Sequence, residues 1–334
     1  MSGPTISAST TPGTGPLPAG SDIGGAATRP GDRIFRGISL AAGATVLVLM
    51  AAIGAFLIYR TVPALRDDTA NFLTTKVWLP EEAKPVFGIA ALLFYTVVTS
   101  ILAMLMAVPV ALGVALFITY YAPRRVSQGL GYFVDLLAAV PSVIYGLWGF
   151  FFLAPRLTGL TQWLDQWLGW TGLLNYPLAN TPSNLSPFTA GLVLAIMILP
   201  IISSISREVF RQVPPDQIEA ALAMGATRWE MIRTAVLPFG RSGVVSASIL
   251  GLGRALGETL AVAIILAPAY TIIFHLTESG GITFASNIAL KYGEAGDLGI
   301  NALLASGMCL FVITLAVNFS AQLIIRRRAA GMES

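Results

Sequence analysis

The chain has 334 residues, of which 55% are hydrophobic and only 11% charged, and its mean hydropathy is +0.75. That is more apolar surface than one soluble core could bury, which excludes an ordinary soluble domain. The net charge of +3 does not mark a nucleic-acid binder, because the basic residues stand in small clusters between long uncharged stretches. A lone cysteine, Cys309, and a lone histidine, His275, exclude a disulfide framework or a zinc site.

In chain order, residues 1–32 are rich in Gly, Pro, Ser, Thr and Ala and have no hydrophobic run, so a disordered cytoplasmic tail is expected there. No cleavable signal is expected, since the first arginine is Arg29 and the first apolar run is long enough to span. A membrane domain at 33–328 follows. Its stretches at 38–59, 88–120, 126–153, 188–205, 244–269 and 300–325 meet or approach the roughly 20 apolar residues that a spanning helix needs. The second is uncharged from Pro85 to Pro123, yet nothing in it reads as a turn.

Six spans place Arg29, Arg33, Arg36, Arg124, Arg125, the segment from Arg207 to Arg241 and Arg326–Arg328 on one side. Short cytoplasmic loops accumulate Lys and Arg, so that side is cytoplasmic and both termini lie inside. The opposite loops hold Arg60, Arg66, Lys76, Lys84, Arg156 and Lys291 diluted by acids. Between Leu160 and Leu174, Trp163, Trp167 and Trp170 stand on helical spacing opposite Asp165 and Gln166. This fits an amphipathic helix in the outer interface or a cap packed on neighbouring helices, with no chemistry assigned.

In the third span Asp135 sits about ten residues past Arg125, roughly 15 Å along a helix, where it pairs with an arginine or faces water. A structural role is expected for it, and Pro141 is expected to kink or interrupt the helix.

The inner segment 207–238 reads as helix, hinge and second helix. Pro214 and Pro215 suit a helix entrance, Asp216 charges the first turn, and Gly225 can take the left-handed conformation that closes a helix. Thr227 and Glu230 form a capping box for a second helix, expected to end before Pro238. Ala220, Ala221 and Ala223 leave a low-profile surface for a partner.

Glu219-Ala220-Ala221, then Gly225 and Leu237-Pro238, resembles the EAA motif of ABC importer permeases, with Ala235 in place of the usual isoleucine. The resemblance implies that Glu219, Ala220, Ala221 and Gly225 couple the chain to a separate ATPase. No Gly-x-x-x-x-Gly-Lys-Ser/Thr loop occurs in the chain, so the expected role is a transport subunit, not an enzyme, with no cofactor.

The fifth span carries Arg254 and Glu258 near its centre, where each charge costs at least about 2.5–3.5 kcal/mol on insertion scales. Four residues apart on one helical face, they are expected to pair in the empty state, leaving an entering anion to compete for the guanidinium. Gly253 and Gly257 stand in small-xxx-small spacing that permits close approach of a helix or ligand. A structural ion pair is the alternative. A secondary transporter would need no ATPase dock, and a membrane enzyme would need a convergent acid, base, nucleophile or metal set that the sequence lacks.

The run from Arg241 through Gly-Leu-Gly-Arg254-Ala-Leu-Gly-Glu258-Thr-Leu-Ala-Val, and the run from Asp135 through Val-Pro-Ser-Val-Ile-Tyr-Gly-Leu-Trp-Gly149, resemble PstC-type permeases of the high-affinity phosphate importer. That resemblance implies an all-α, type I ABC importer permease fold in a bacterial plasma (inner) membrane. It implies a heterodimer with a PstA-type paralogue, two PstB-type ATPases and a periplasmic phosphate-binding protein. It also places the substrate pathway at Arg254 and Glu258. From the residues alone Arg254 argues only for an anion, and molybdate, sulfate or an amino acid remain open.

Overall fold

The computed structural model describes residues 30–174 and 185–330; the expected disordered tail lies, up to residue 29, outside them. The helices are α1 (Pro30–Asp67), α2 (Ala90–Leu116), α3 (Arg124–Ala138), α4 (Ser142–Trp148), α5 (Ala154–Arg156), α6 (Thr158–Leu168), α7 (Pro187–Arg211), α8 (Pro215–Ala223), α9 (Arg228–Met231), α10 (Leu237–Gly257), α11 (Leu260–Ile265), α12 (Phe284–Lys291) and α13 (Asp297–Ala330). Single π-helical turns join α2 to α3, α4 to α5 and α9 to α10. Five helical stretches among the described residues are long and apolar enough to cross a membrane, and a bent pair, α3 with the helix from Ser142 to Arg156, brings the number to six.

The chain divides at Ile53 into two units. The first ends within α1, which is uncharged from Gly37 to Tyr59. The second holds every other element.

Its centre is the packing of α2 along α7. Ala103, Ala107, Ala111 and Ala115 recur every fourth residue of α2 and are all fully buried, whereas Ile101, Leu105 and Val110 on other faces are exposed. Lipid tails are as apolar as leucine, so helix association there depends on close backbone approach, which a rank of alanines permits. Gly191 of α7 makes the same accommodation: a Cβ there would come within 2.8 Å of Leu102. Ser186 caps α7 by accepting from the Thr189 N–H, and Pro187 occupies its first turn, where a missing N–H costs nothing. From α2, α7, α10 and α11 come most of the residues of the main buried cluster, among them Val193, Ile198, Ile202, Ala247 and Val262.

A second cluster joins α2, α12 and α13 to the loop after α1 through Trp78, Phe87, Leu92, Phe284 and Leu303. There the all-α expectation meets a small exception, a two-residue antiparallel ladder pairing Trp78 with Phe87 and Leu79 with Val86, which we call β1 and β2. The tryptophan-bearing segment forms α6 and the turn after it, with Trp163, Trp167 and Trp170 all exposed.

Candidate functional site

Two interrupted helices meet beside the candidate charges. Pro141 follows a break after α3, and α3 meets the helix that continues from Ser142 to Arg156 at a bend of 92°. The Tyr145 hydroxyl donates to the Leu137 carbonyl across the break (2.9 Å), beside the Val140 N–H (3.2 Å), so this acceptor is served where the regular helical ladder stops. The second break lies at Glu258, whose backbone is extended (φ −67°, ψ 128°) between α10 and α11. The two short helices beyond the breaks pack on each other: a Cβ on Gly146 would come within 2.8 Å of the Ala261 Cα.

This geometry corrects the expectation of one continuous fifth span with an Arg254–Glu258 pair. A pair four residues apart requires unbroken helix, and α10 stops at Gly257. The buried Glu258 carboxylate turns instead to the start of α11, where its Oε1 accepts from the Ala261 N–H (3.2 Å). Among the described residues, Arg254 has no hydrogen-bond or ion-pair partner and Glu258 has no ion-pair partner.

Arg254 is half-buried and faces a cleft of about 590 Å³ between α7, α10 and α13. Ile201, Ile249 and Leu250 give the cleft apolar walls, and Ser246, Arg254, Asn318 and Gln322 give it polar ones. Ser246, Ile249, Leu250 and Gly253 lie on one α10 stripe at three- and four-residue spacing. The span's glycines divide by role: Gly251 packs on Ile202, where a Cβ would stand at 2.7 Å, while a Cβ on Gly253 or Gly257 would meet nothing within 4 Å. Asn318 and Gln322, in a helix that the sequence reading left without function, are additions; two amides one turn apart in an otherwise apolar span were the available signal.

Asp135 pairs with Arg207 of α7, at 2.9 Å. Arg207, which the sequence pattern places with the loop arginines, lies inside the helix, four residues before its end.

The inner loop folds as α8, a turn, α9 and a π turn. Gly225 has φ +86° and closes α8 in the left-handed region. The Thr227–Glu230 capping box is formed in both directions. The Glu230 carboxylate, exposed in this loop, accepts from the Thr227 N–H and hydroxyl, which holds its pKa below the ordinary carboxylate value.

Two expectations change here. The second helix does not end before Pro238: the π turn Ile232–Val236 carries the helix onward, so that Pro238 falls in the first turn of α10, where its missing N–H is tolerated. Ala221 does not contribute to a surface; it is buried with Phe210, Val213, Met231 and Ile232. Glu219, Ala220 and Gly225 are exposed. Leu222, Met224 and Trp229 are exposed as well, Met224 by 84%, and they give the loop an apolar tip that the sequence reading missed.

Residues 107–330 match the family described as binding-protein-dependent transport system inner membrane component. The chain is 49% identical over 305 residues to a Mycobacterium tuberculosis protein named phosphate transport system permease protein PstC 2, covering 91% of this chain and 94% of that one. It is 48% identical over 318 residues to phosphate transport system permease protein PstC of Mycobacterium leprae, covering 95% and 99%. Among solved structures it is similar to a chain of the inward-facing MetNI methionine ABC transporter, with a TM-score of 0.52 at 16% identity, covering 71% of this chain and 95% of that one. The last likeness bears on the fold alone, and that fold is the type I ABC importer permease fold.

Proposed function

The chain belongs to the binding-protein-dependent transport system inner membrane components, and from that premise we propose that it forms half of the translocation pathway of an importer of inorganic phosphate, as the PstC-type subunit. It is a multi-pass membrane protein and a transport subunit of an ABC importer, working with a binding protein and with a separate subunit that hydrolyses ATP. In the proposed assembly both termini are cytoplasmic and the membrane is the bacterial plasma (inner) membrane. A PstA-type paralogue completes the pathway, two PstB-type ATPases bind from inside, and a periplasmic phosphate-binding protein delivers cargo.

The observation that carries the anion pathway is the unpartnered Arg254 at the wall of an open cleft, and the names of the relatives favour phosphate as that anion. A guanidinium held in the membrane without a protein counter-charge is a standing cost, and an entering oxyanion removes it. Its planar fork matches two phosphate oxygens, and the neutral Ser246, Asn318 and Gln322 offer hydrogen bonds without binding the anion so tightly that it stays. Glu258, engaged at α11, leaves Arg254 free for cargo while opposing over-tight anion retention by its charge.

At the cytoplasmic end, Leu222, Met224 and Trp229 with Glu219 and Ala220 form the surface that seats an ATPase, Gly225 sets its angle, and Ala221 anchors it to α7 and α9. ATP binding moves this loop and with it the helices around the cleft.

The test is phosphate-stimulated ATP hydrolysis and radiolabelled phosphate uptake by the complex reconstituted with its binding protein. Arg254→Gln removes the equivalent of one charge-assisted hydrogen bond, about 1.5–3 kcal/mol, and uptake should fall by about 10- to 150-fold with assembly intact. Uptake within about twofold of the parent would refute the cargo role of this residue.

A further inference from the structure

The ion pair between Asp135 and Arg207 is built with more care than a packing contact needs. Arg207 is only 8% exposed, and its Nη2 donates to both Asp135 oxygens, at 3.0 and 2.9 Å. Gly131, one turn before Asp135, leaves the room for this: a Cβ there would stand 2.5 Å from Arg207 Nη1. These are the only side-chain hydrogen bonds between α3 and α7 among the described residues.

The pair's position matters for what it could transmit. Four residues after Arg207, α7 ends, and four residues later α8 begins; Phe210 and Val213 pack with Ala221, so the end of α7 and the coupling helix share a core. On the other side, α3 runs from Asp135 to the bend at Pro141, and beyond it Gly146 seats against Ala261 of α11, the helix that starts beside Glu258. A displacement of α8 therefore has a route to α3, and through α3 to the paired helix breaks near Arg254, that includes this ionic contact beside the packing of α3 on α7.

A second observation shows that the contact is not saturated. Arg207 Nε is buried without a partner, and so are the hydroxyls of Ser203 and Ser206 on the same stretch of α7. Residues 203, 206 and 207 stand at i, i+3 and i+4, one helical face. Buried polar groups are normally satisfied, and an unsatisfied rank on one face gives α7 hydrogen-bonding capacity that a second position against α3 can use.

We infer that Asp135 and Arg207 are positioning residues that transmit movement of the coupling loop to the interrupted helices beside the cleft, an inference that rests on the transport reading above. Neither touches cargo.

The experiment uses the full complex with its ATPase and binding protein, and reads two quantities. The first is phosphate taken up per ATP hydrolysed. Asp135→Asn should lower it about tenfold, inside the usual 5- to 150-fold span of coupling, while binding-protein-stimulated hydrolysis stays within about twofold; Asp135→Glu should restore it. The second is independent of cargo: spin labels at the exposed Tyr132 on α3 and Gln217 on α8, in which a non-hydrolysable ATP analogue should change their separation in the parent and not in the same way in Asp135→Asn. Gly131→Ala, which crowds the guanidinium with both charges kept, should uncouple in the same direction. If Asp135→Asn moves α3 and transports per ATP as the parent does, or if both variants fail to assemble, the inference falls and the pair is a folding element. A parent complex that shows the nucleotide-driven movement but transports no phosphate would refute the cargo reading and leave the positioning role standing.

Discussion

Replacing Gly225 isolates a backbone effect from a steric one. Its φ is +86°, in the region that L side chains avoid, and a Cβ built there would meet nothing within 4 Å. Within this chain bulk therefore has no steric cost, and the intramolecular penalty of Gly225→Ala is the left-handed conformation itself, about 1–2 kcal/mol. Asn, whose short polar side chain tolerates that region, should lose less, and the β-branched Val should lose more. Converted to populations, alanine lowers the share of loops with the docking angle by roughly 5- to 30-fold. The assay is a titration of the isolated ATPase subunit onto detergent-solubilised permease, with thermal stability of the permease measured alongside. The expected order of affinity is Gly, Asn, Ala, Val, with thermal stability nearly constant because the turn is exposed. An equal loss for Asn and Ala, or none for Val, would show that the backbone angle at 225 does not set docking.

Gly251→Ala should destabilise the permease by about 1–3 kcal/mol, since Ile202 must move to admit the methyl group, while Gly253→Ala, open on the cleft stripe, should melt like the parent; thermal unfolding in detergent reads both. Tyr145→Phe removes the hydroxyl that ties α4 to the Leu137 carbonyl, which keeps the Val140 N–H (3.2 Å), and should cost about 0.5–1.5 kcal/mol in the same measurement. For the capping box the direction of pH dependence is fixed: Glu230 is held below the ordinary value of 4.5, so its contribution is present above that value and is lost as pH falls through the lowered one. The protection of amides 227–231, taken relative to the intrinsic exchange rate at each pH, should therefore fall on acidification in the parent and be insensitive to it in Glu230→Gln.

What could be read from the sequence depended on whether the signal was local. Gly225 in the left-handed region, the Thr227–Glu230 box and the break at Pro141 each arise from backbone rules acting over four or five residues, and each is present as expected. The break at Glu258 was not legible, because nothing in Gly-Glu-Thr forbids helix; the local hydrogen bond from the Ala261 N–H to Glu258 accompanies it, and the packing of α4 at Gly146 on Ala261 is brought from elsewhere in the chain. Expecting an Arg254–Glu258 pair followed from assuming helical geometry where tertiary packing had removed it. Asp135 posed the reverse problem: its need for a partner was clear, but the partner lay 72 residues away, and no spacing rule reaches that far. Ala221 shows the limit of composition, since a run of small residues names a close contact without saying which side of the helix makes it.

The two interruptions also bear on how a helical bundle carries an ion without a permanent aqueous hole. A continuous helix presents only side chains to a pathway, with its backbone groups spent on the ladder. Breaking α3 from α4 and α10 from α11 at places where the pieces pack on each other releases backbone groups, and here each finds a side-chain partner: Tyr145 for the Leu137 carbonyl and Glu258 for the Ala261 amide. Such irregular backbone is tolerated at membrane depth only where protein or a polar cavity surrounds it. The pieces beyond the breaks stay tied to the long helices, since Tyr145 of α4 and Val262 and Ile265 of α11 are buried in one cluster with Ala103 of α2 and Val193 of α7. Arg254 sits on α10, one turn before its break, and Glu258 at the break itself. The carboxylate is thus tied to α11 by its own hydrogen bond while the guanidinium stays on α10, so the break parts two charges that a continuous helix would have set on one face.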